Sequence, residues 1–345
     1  MAKRIRLRAV VAPAFIGLLS ILLAACSSPT PAPSGSGGET TDGKEVTIGA
    51  LYLDAQGFYG GIKKGIEDGA KEEGQGINLL GQNSGGDVAQ ESEFLSTLIS
   101  GKVDAIITSP VSAEASVAGI KQAFDAGIPV ICYNSCINKA DAEKYIYALV
   151  TTDQDKLGYD VGIIAGNYFK DKGISAPRFG ILNCDVYEAC LERKAGFKRG
   201  VEEILPGVVW AADQAGFEPD KSTATATTML TGDDKIEAMY GTTDNGTIGA
   251  IQGVVATQRS GKTVVFGNDI SVQLANYFKT NPEILLATNG QLPQIMGRES
   301  VKVALKAIAG EKNDTYLVTV PTQMFKVEDT AGLDAWLTEH ADGIP

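Results

Sequence analysis

The 345-residue sequence contains a single histidine, His340, and few basic residues. Ser-His-Asp and Cys-His catalytic arrangements need a histidine beside the nucleophile, so this composition argues against hydrolases of those types. The chain has 30 Lys and Arg against 42 Asp and Glu, which gives a net charge of −12. An acidic chain is a poor candidate for nucleic acid, which attracts basic surfaces. We therefore expect no enzymatic activity, no nucleic-acid partner, no cofactor and no bound metal.

Long apolar runs are also scarce, and the one of note lies at the start of the sequence. It extends from Val10 to Leu23, follows a basic segment and leads into "LAAC", which ends at Cys26. The run is shorter than the ~20 apolar residues that a spanning helix needs, so a secretory signal peptide is the better interpretation. "LAAC" resembles the bacterial lipobox, in which the cysteine receives a lipid; a plain signal peptide is the alternative. We predict a lipoprotein signal peptide over 1–25, lipid on Cys26 and a flexible tether over 26–44.

Export determines the setting of the mature chain. Removal of residues 1–25 takes away four basic and no acidic residues, which changes the net charge from −12 to −16. We interpret this charge as a solubility feature. The predicted location is outside the cytoplasm, in the periplasm or on the outer face of the cytoplasmic membrane, with the lipid as the only membrane contact.

Four cysteines remain after Cys26: Cys132, Cys136, Cys184 and Cys190. An even number of cysteines in an exported chain favours disulfide bonds. Three pairings are possible, and the local one needs no distant contact. A zinc site of four thiolates is the alternative. In the local pairing, one bridge would close across Asn134, at the end of an apolar segment.

From residue 45 onward, strand-like and helix-like segments alternate. "VTIGALYL", "DAIITSP", "RFGILN" and "KTVVFGN" are typical of buried strands, whereas "VAQESEFLSTLISG" has the apolar spacing of a helix. "DKIEAMYG" is interpreted as a helix that runs into a strand. Apolar strands separated by helices indicate parallel sheets covered on both faces. We predict an α/β fold of two doubly wound domains joined by a hinge, over 45–152 plus 292–320 and over 153–291 plus 321–345.

The body of the chain resembles a periplasmic sugar-binding protein of the ribose-binding, type I class, from Val46 to about Lys326. The resemblance depends on "VDAIITSP" followed by "DAGIPVI", and on "CLERKAGFKRGVEE", "VVFGND" and "NGQLPQIMGRESVKVALKAIAGEK" in the family's order. It implies the type I periplasmic binding fold, a ligand cleft between the domains and closure by hinge motion. It also implies an ABC permease in the membrane as the partner. We expect a monomer.

The same resemblance implies a set of ligand-binding positions, which include an aromatic pair that stacks on a sugar ring. These positions are Gln56, Phe58, Tyr59, Asn134, Ser135, Leu191, Thr243, Asp269 and Gln291. Several of them lack the charged Asp and Arg that sugar binders commonly use, and Asp269 is the one charged residue among them. Because buried donors and acceptors must match the ligand, the solute is expected to be smaller, less hydroxylated or differently arranged than ribose.

Other polar residues near these positions have two interpretations. Asp269 is either a ligand contact, which we favour, or a cap of the helix that begins near Ser271, and Asp244 is interpreted as a cap of its own helix. Asp153 is expected to cap the helix at the domain crossover. Tyr187 and Glu188 either reach the cleft or form a solvated loop.

The predicted function is the capture of a small polar solute, a sugar or polyol, by a lipid-anchored binding protein of an ABC importer. Two alternatives remain open at this point. The same fold can act as a ligand-sensing receptor module that signals to a membrane partner. An extracytoplasmic hydrolase is disfavoured by the lack of histidine.

Overall fold

The computed structural model describes residues 45–74, 76–313 and 315–345. The predicted signal peptide, Cys26 and the tether lie outside these ranges. In chain order the elements are β1 (Val46–Tyr52), α1 (Gly57–Glu72), β2 (Ile77–Asn83), α2 (Val88–Gly101), β3 (Ala105–Thr108), α3 (Val117–Asp125), β4 (Val130–Tyr133), α4 (Lys139–Tyr145), β5 (Ala148–Thr152), α5 (Gln154–Asp171), β6 (Arg178–Asn183), α6 (Glu188–Ile204), β7 (Val209–Ala215), α7 (Pro219–Gly232), β8 (Ala238–Gly241), α8 (Asp244–Ala256), β9 (Val264–Asn268), α9 (Val272–Thr280), β10 (Leu285–Gln291), α10 (Pro293–Ile308), β11 (Leu317–Val320), β12 (Thr322–Lys326) and α11 (Thr330–Glu339).

The strands form two six-stranded sheets with orders β11-β5-β4-β3-β1-β2 and β12-β10-β9-β8-β6-β7. All pairings in the first sheet are parallel. In the second sheet β12 runs antiparallel to β10 and the other pairings are parallel. The two orders match strand for strand, so β4 and β5 of the first sheet correspond to β9 and β10 of the second. The prediction of two doubly wound α/β units is confirmed.

Each sheet is covered by helices on both faces because both of its faces are apolar. In the first lobe, α1 and α10 pack on one face of the first sheet, and α2 and α3 pack on the other. In the second lobe, α5 and α6 cover one face of the second sheet and α7, α8, α9 and α11 the other. Each fully buried Leu, Ile, Val or Phe stabilises such a layer by about 1.5–3 kcal/mol. The lobes therefore have separate hydrophobic cores, and the ends of the strands are not needed to form those cores.

The helix predicted from "VAQESEFLSTLISG" is confirmed as α2, whose N-terminus is capped by Asp87. The helical part of "DKIEAMYG" is wrong. Lys235 donates its backbone N–H to Asp233 Oδ1 at 2.9 Å, and the next regular element is the strand β8. Such a local side-chain hydrogen bond competes with helix formation and favours a turn.

The chain passes between the two sheets three times: from β5 into α5, from β10 into α10, and from β11 to β12. Asp153 caps α5 by accepting the Lys156 N–H at 2.9 Å, as predicted. A further contact between lobes comes after α11, where Asp342 accepts a hydrogen bond from Lys64 Nζ at 2.5 Å. None of the helices in the described ranges is long and apolar enough to cross a bilayer.

Candidate functional site

Asn134 follows β4 with a left-handed backbone, at a φ of 60°. Its N–H donates to Val150 O at 2.9 Å and its carbonyl accepts from Thr151 Oγ1 at 2.9 Å, both in β5. The Cys132–Cys136 disulfide closes across the same turn, with the two Cα atoms 5.5 Å apart. The turn is therefore held by the neighbouring strand and by a covalent bridge, which fixes the direction of the Asn134 side chain.

Asp269 follows β9 in the same manner, at a φ of 66°. Its N–H donates to Asn289 O at 2.9 Å and its carbonyl accepts from Thr288 Oγ1 at 2.6 Å, both in β10. Because β9 and β10 correspond to β4 and β5, Asp269 is the counterpart of Asn134 in the second lobe. The two polar side chains stand at the carboxyl ends of equivalent strands, where open α/β sheets bind ligands.

This conformation is itself informative. Among the described residues, the other two non-glycine positions with positive φ are Lys102 and Gln258, and both follow helices. A left-handed residue at a helix end is ordinary, whereas one at a strand end is costly and tends to occur at functional sites. The backbone therefore points to Asn134 and Asp269 independently of side-chain type.

Asp269 belongs to a closed ring of side-chain hydrogen bonds with Gln291, Gln154 and Arg193, called here the Asp269 ring. Gln291 Nε2 donates to Asp269 Oδ1 at 2.9 Å, and Gln154 Nε2 donates to Gln291 Oε1 at 3.2 Å. Arg193 Nε donates to Gln154 Oε1 at 2.6 Å, and its Nη1 donates to Asp269 Oδ2 at 3.1 Å. Gln154 and Gln291 adjoin two of the crossings between the lobes, so the ring links these crossings to the Asp269 carboxylate.

Arg193 is a buried residue of the candidate site that the sequence analysis did not identify. The resemblance implied a ligand-binding position at Leu191, whose side chain is 46% exposed, whereas Arg193 is only 5% exposed. The spacing carried a signal, because Cys190, Arg193 and Phe197 share the buried face of α6. An arginine on a buried helical face requires an acidic or carbonyl partner, and here it has both, since Nη1 also donates to Thr242 O at 3.0 Å.

The first lobe contributes uncharged polar groups and aromatic rings. Asn134 Nδ2 donates to the Tyr59 hydroxyl at 3.2 Å, and the Ser109 and Ser135 hydroxyls are 3.0 Å apart. Burial raises the pKa of the Tyr59 phenol, so the phenol is neutral and can donate a hydrogen bond. Phe58 meets Tyr59 edge to face, with ring centroids 5.3 Å apart. This side of the site therefore offers donors, acceptors and a ring edge without charge.

A cavity of about 80 Å³ lies between the lobes. Phe58 lines the cavity from the first lobe, and Asp244, Asp269 and Gln291 line it from the second. Pro345, which follows α11, also lines it. The predicted positions Phe58, Asp269 and Gln291 are thus brought together. Gln56 precedes α1 with its side chain exposed and without a capping bond.

The capping alternatives for Asp244 and Asp269 are wrong. Thr243 caps α8 by accepting the Gly246 N–H at 3.1 Å, and Ser271 caps α9 by accepting the Leu274 N–H at 3.3 Å. Asp244 is instead the first residue of α8. Its pKa is raised to about 6 by burial and by the nearby Asp269. Capping preference alone gave the wrong role for both acids, because Thr243 and Ser271 lie close to them along the chain and are better placed to cap the helices.

The second bridge joins Cys184 to Cys190, with Cα atoms 5.4 Å apart, so both disulfides are local. The sulfur atoms are bonded to each other, which removes the thiolates that a zinc site would need. Tyr187, between the two cysteines, is 58% exposed and packs edge to face on Phe217 at 5.8 Å. Burial is the main cause of the raised pKa of Tyr59, and Tyr187 adds to it.

Residues 50–312 match the family model of the periplasmic binding protein domain. The chain belongs to this family. This chain is 35% identical to the ABC transporter periplasmic-binding protein YphF of Escherichia coli (strain K12) over 303 residues, which cover 88% of this chain and 91% of the relative. It is 27% identical to the ribose import binding protein RbsB of Bacillus subtilis (strain 168), over 84% of this chain and 90% of that one.

Solved structures show the same fold. A periplasmic solute-binding protein from Actinobacillus succinogenes 130z, determined with bound D-allose, matches with a TM-score of 0.74 at 24% identity, over 83% of this chain and 99% of that one. A solute-binding protein from Bacillus halodurans C-125, determined with bound myo-inositol, matches with a TM-score of 0.73 at 23% identity, over 86% and 99%. The predicted resemblance to type I periplasmic sugar-binding proteins is confirmed. The family binds solutes and works outside the cytoplasm.

Proposed function

We propose that this periplasmic binding protein captures a small polar solute, a sugar or polyol, in the cleft between its lobes and delivers it to an ABC permease. The observation that carries the proposal is the paired placement of Asn134 and Asp269 at equivalent strand ends. Both backbones are held left-handed by the neighbouring strand, one in each lobe. A ligand between them would contact both lobes at once and favour the closed form.

The lining chemistry supports a hydroxylated ligand. Asp269 and Asn134 provide acceptors, while Tyr59 and Gln291 provide donors. Phe58 offers an apolar ring, and flat apolar rings pack against the apolar face of a cyclic sugar. The relatives support the same class, because they include proteins named for ribose and allose.

The charges in the site favour a neutral ligand over an acidic one. Asp269 is paired with the buried Arg193, and the first-lobe residues Tyr59, Asn134 and Ser135 are uncharged. Acidic solutes would meet Asp244 and Asp269 across a low-dielectric cavity and be repelled. Carboxylate and phosphate ligands are therefore disfavoured relative to neutral polyols.

Hinge closure is proposed as the step that presents the ligand to the permease. The three crossings between the sheets are short segments at the ends of regular elements, which is where hinge motion is absorbed. The proposed domains, 45–152 plus 292–320 and 153–291 plus 321–345, would move as units about them. The protein is proposed to act as a monomer.

A lipid on Cys26 is proposed to hold the protein at the membrane surface, through a tether over 26–44. Cys26→Ser is expected to release the protein from the membrane fraction of expressing cells into the soluble fraction, because a second anchor is not apparent in the sequence. Retention of the variant in the membrane pellet would contradict the anchor.

A thermal-shift screen tests the proposed function. The panel contains D-ribose, D-allose, D-glucose, myo-inositol and sorbitol, with citrate and glucose 6-phosphate as acidic comparisons. At a ligand concentration of about 100 times Kd, binding adds about 2.7 kcal/mol to stability, which raises the Tm by several degrees. Stabilisation by a neutral member supports the proposal. Stabilisation by the acidic members alone, or cleavage of chromogenic glycosides or esters, would overturn it.

A further inference from the structure

Among the described residues, no side chain donates a hydrogen bond to Asp244, an acid that lines the cavity. It is partly buried at the start of α8 and lines the cavity beside Asp269. Its Oδ1 accepts a hydrogen bond from the backbone N–H of Asn245 at 2.8 Å. Thr243, not Asp244, performs the capping role at this helix.

Asp269 provides the contrast. Its Oδ1 accepts from Gln291 and its Oδ2 accepts from Arg193, so both oxygens are already engaged in the Asp269 ring. Asp244 and Asp269 thus line the same cavity but differ in the hydrogen-bond donors that the protein supplies to their oxygens. A partly buried carboxylate that lacks a side-chain donor costs free energy, and a ligand can supply such a donor.

We propose that Asp244 is a ligand-binding residue, which accepts a hydrogen bond from a hydroxyl or ammonium group of the solute in the cleft. The inference rests on the proposed function and adds a specific acceptor to it. A hydroxyl group and an ammonium group can both donate this hydrogen bond. An ammonium donor would in addition neutralise the charge that Asp244 adds to the cavity.

The electrostatics of the site agree with this role. Burial and Asp269 raise the pKa of Asp244 to about 6, while Arg193 acts in the opposite direction. Besides Asp269, the side chains that line the cavity with Asp244 include the uncharged Phe58, Ser271 and Gln291. Above about pH 6 the empty site therefore holds a carboxylate that the folded protein accommodates poorly.

This predicts a stability signature that a structural role would not produce. A carboxyl pKa raised above its unfolded value lowers the stability as pH rises through the window from about 4 to about 6. Asp244→Asn removes the ionisation, so the unliganded variant should have a Tm a few degrees above wild type at about pH 8. The difference should shrink at about pH 4, where wild-type Asp244 is protonated.

A matched control is Asp234→Asn. Asp234 is exposed and precedes β8, whereas Asp244 follows the same strand at the cleft end. The control removes the same charge outside the cavity and should leave the Tm within about a degree of wild type. A lower Tm in Asp244→Asn than in the control at about pH 8 would overturn the proposal, because it would mean that the carboxylate holds the fold together.

Affinity gives the second readout, by calorimetry with D-glucose, D-glucosamine, D-allose and myo-inositol as probes. For the best probe, Asp244→Asn should weaken binding about tenfold or more, and Asp234→Asn should not. The wild-type Kd should rise about tenfold between about pH 8 and about pH 5, since only about a tenth of Asp244 is then ionised, and the variant should lack this dependence.

The probe pair assigns the source of the donor. Tighter binding of D-glucosamine than of D-glucose, with the advantage lost in Asp244→Asn, supports the proposal with an ammonium donor. Equal binding, with both weakened in the variant, supports it with a hydroxyl donor. Unchanged affinity in the variant overturns it. If wild type binds none of the probes, the proposed function fails while the Tm comparison still decides the role of Asp244.

Discussion

Replacement of Arg193 by methionine is the most informative single change in the second lobe, because it removes the cation of the Asp269 ring while keeping an apolar side chain of similar length. Arg193 Nη1 lies 3.1 Å from Asp269 Oδ2, and the two side chains are 6% and 17% exposed. The guanidinium also donates to Gln154 Oε1 and Thr242 O. After the substitution, Asp269 keeps its charge and loses its counter-ion.

The size of the effect follows from burial. Removal of one partner from a buried ion pair costs about 3–5 kcal/mol, since the remaining charge is uncompensated. For lobes of this size, each kcal/mol lowers the Tm by about 2–4 °C. Arg193→Met should therefore lower the Tm by roughly 6–20 °C in differential scanning calorimetry.

Arg199 provides the control on the same helix. It pairs with Asp155, but its side chain is 53% exposed, and exposed pairs contribute about 0–1 kcal/mol. Arg199→Met should lower the Tm by no more than a few degrees. In the double variant Arg193→Met/Asp269→Asn, part of the loss should be recovered because the unpaired charge is gone. A Tm for Arg193→Met equal to that of Arg199→Met would refute the buried-pair reasoning.

Two further predictions concern the cleft. Reduction of both disulfides should weaken ligand binding more clearly than it lowers the Tm, because each bridge closes a short loop at the cleft and contributes only about 1–3 kcal/mol to stability. Loss of cooperative unfolding under mild reductant would contradict this prediction. Tyr187→Ala should raise the Kd of the best sugar roughly three- to tenfold through loss of ring contact, and Tyr187→Phe should not. Equal affinities of the Ala and Phe variants in calorimetry would place Tyr187 in a solvated loop.

Local patterns in the sequence sufficed for the elements and for the fold class. The apolar spacing of "VAQESEFLSTLISG" predicts a helix over the span of α2, and the apolar strands between helices predict parallel sheets. The disulfide pairing could also be predicted from the sequence, since the local pairing needs no tertiary information. These features depend on neighbours within a few residues, which a single sequence displays directly.

The missed features depend on contacts between distant residues. Arg193 and Asp269 are 76 positions apart, so the helical period shows that Arg193 is buried but not what it meets. The left-handed backbones of Asn134 and Asp269 are held by hydrogen bonds from β5 and β10, which no propensity encodes. Asp244 was misassigned for a local reason instead, because the hydroxyl of Thr243, one residue earlier, caps α8.

Calorimetric titration of wild type and Asp269→Asn with the strongest ligand from the screen tests the central claim most directly. Asp269 is held at the end of β9 by β10 and by the Asp269 ring, and it lines the cavity between the lobes. Asparagine keeps the shape but removes the charge, and a charged hydrogen bond contributes about 1.5–3 kcal/mol. Wild type should bind one ligand per chain, and the Kd of Asp269→Asn should be roughly ten- to a hundredfold higher. An unchanged Kd in a folded variant would mean that the solute does not bind in the cleft.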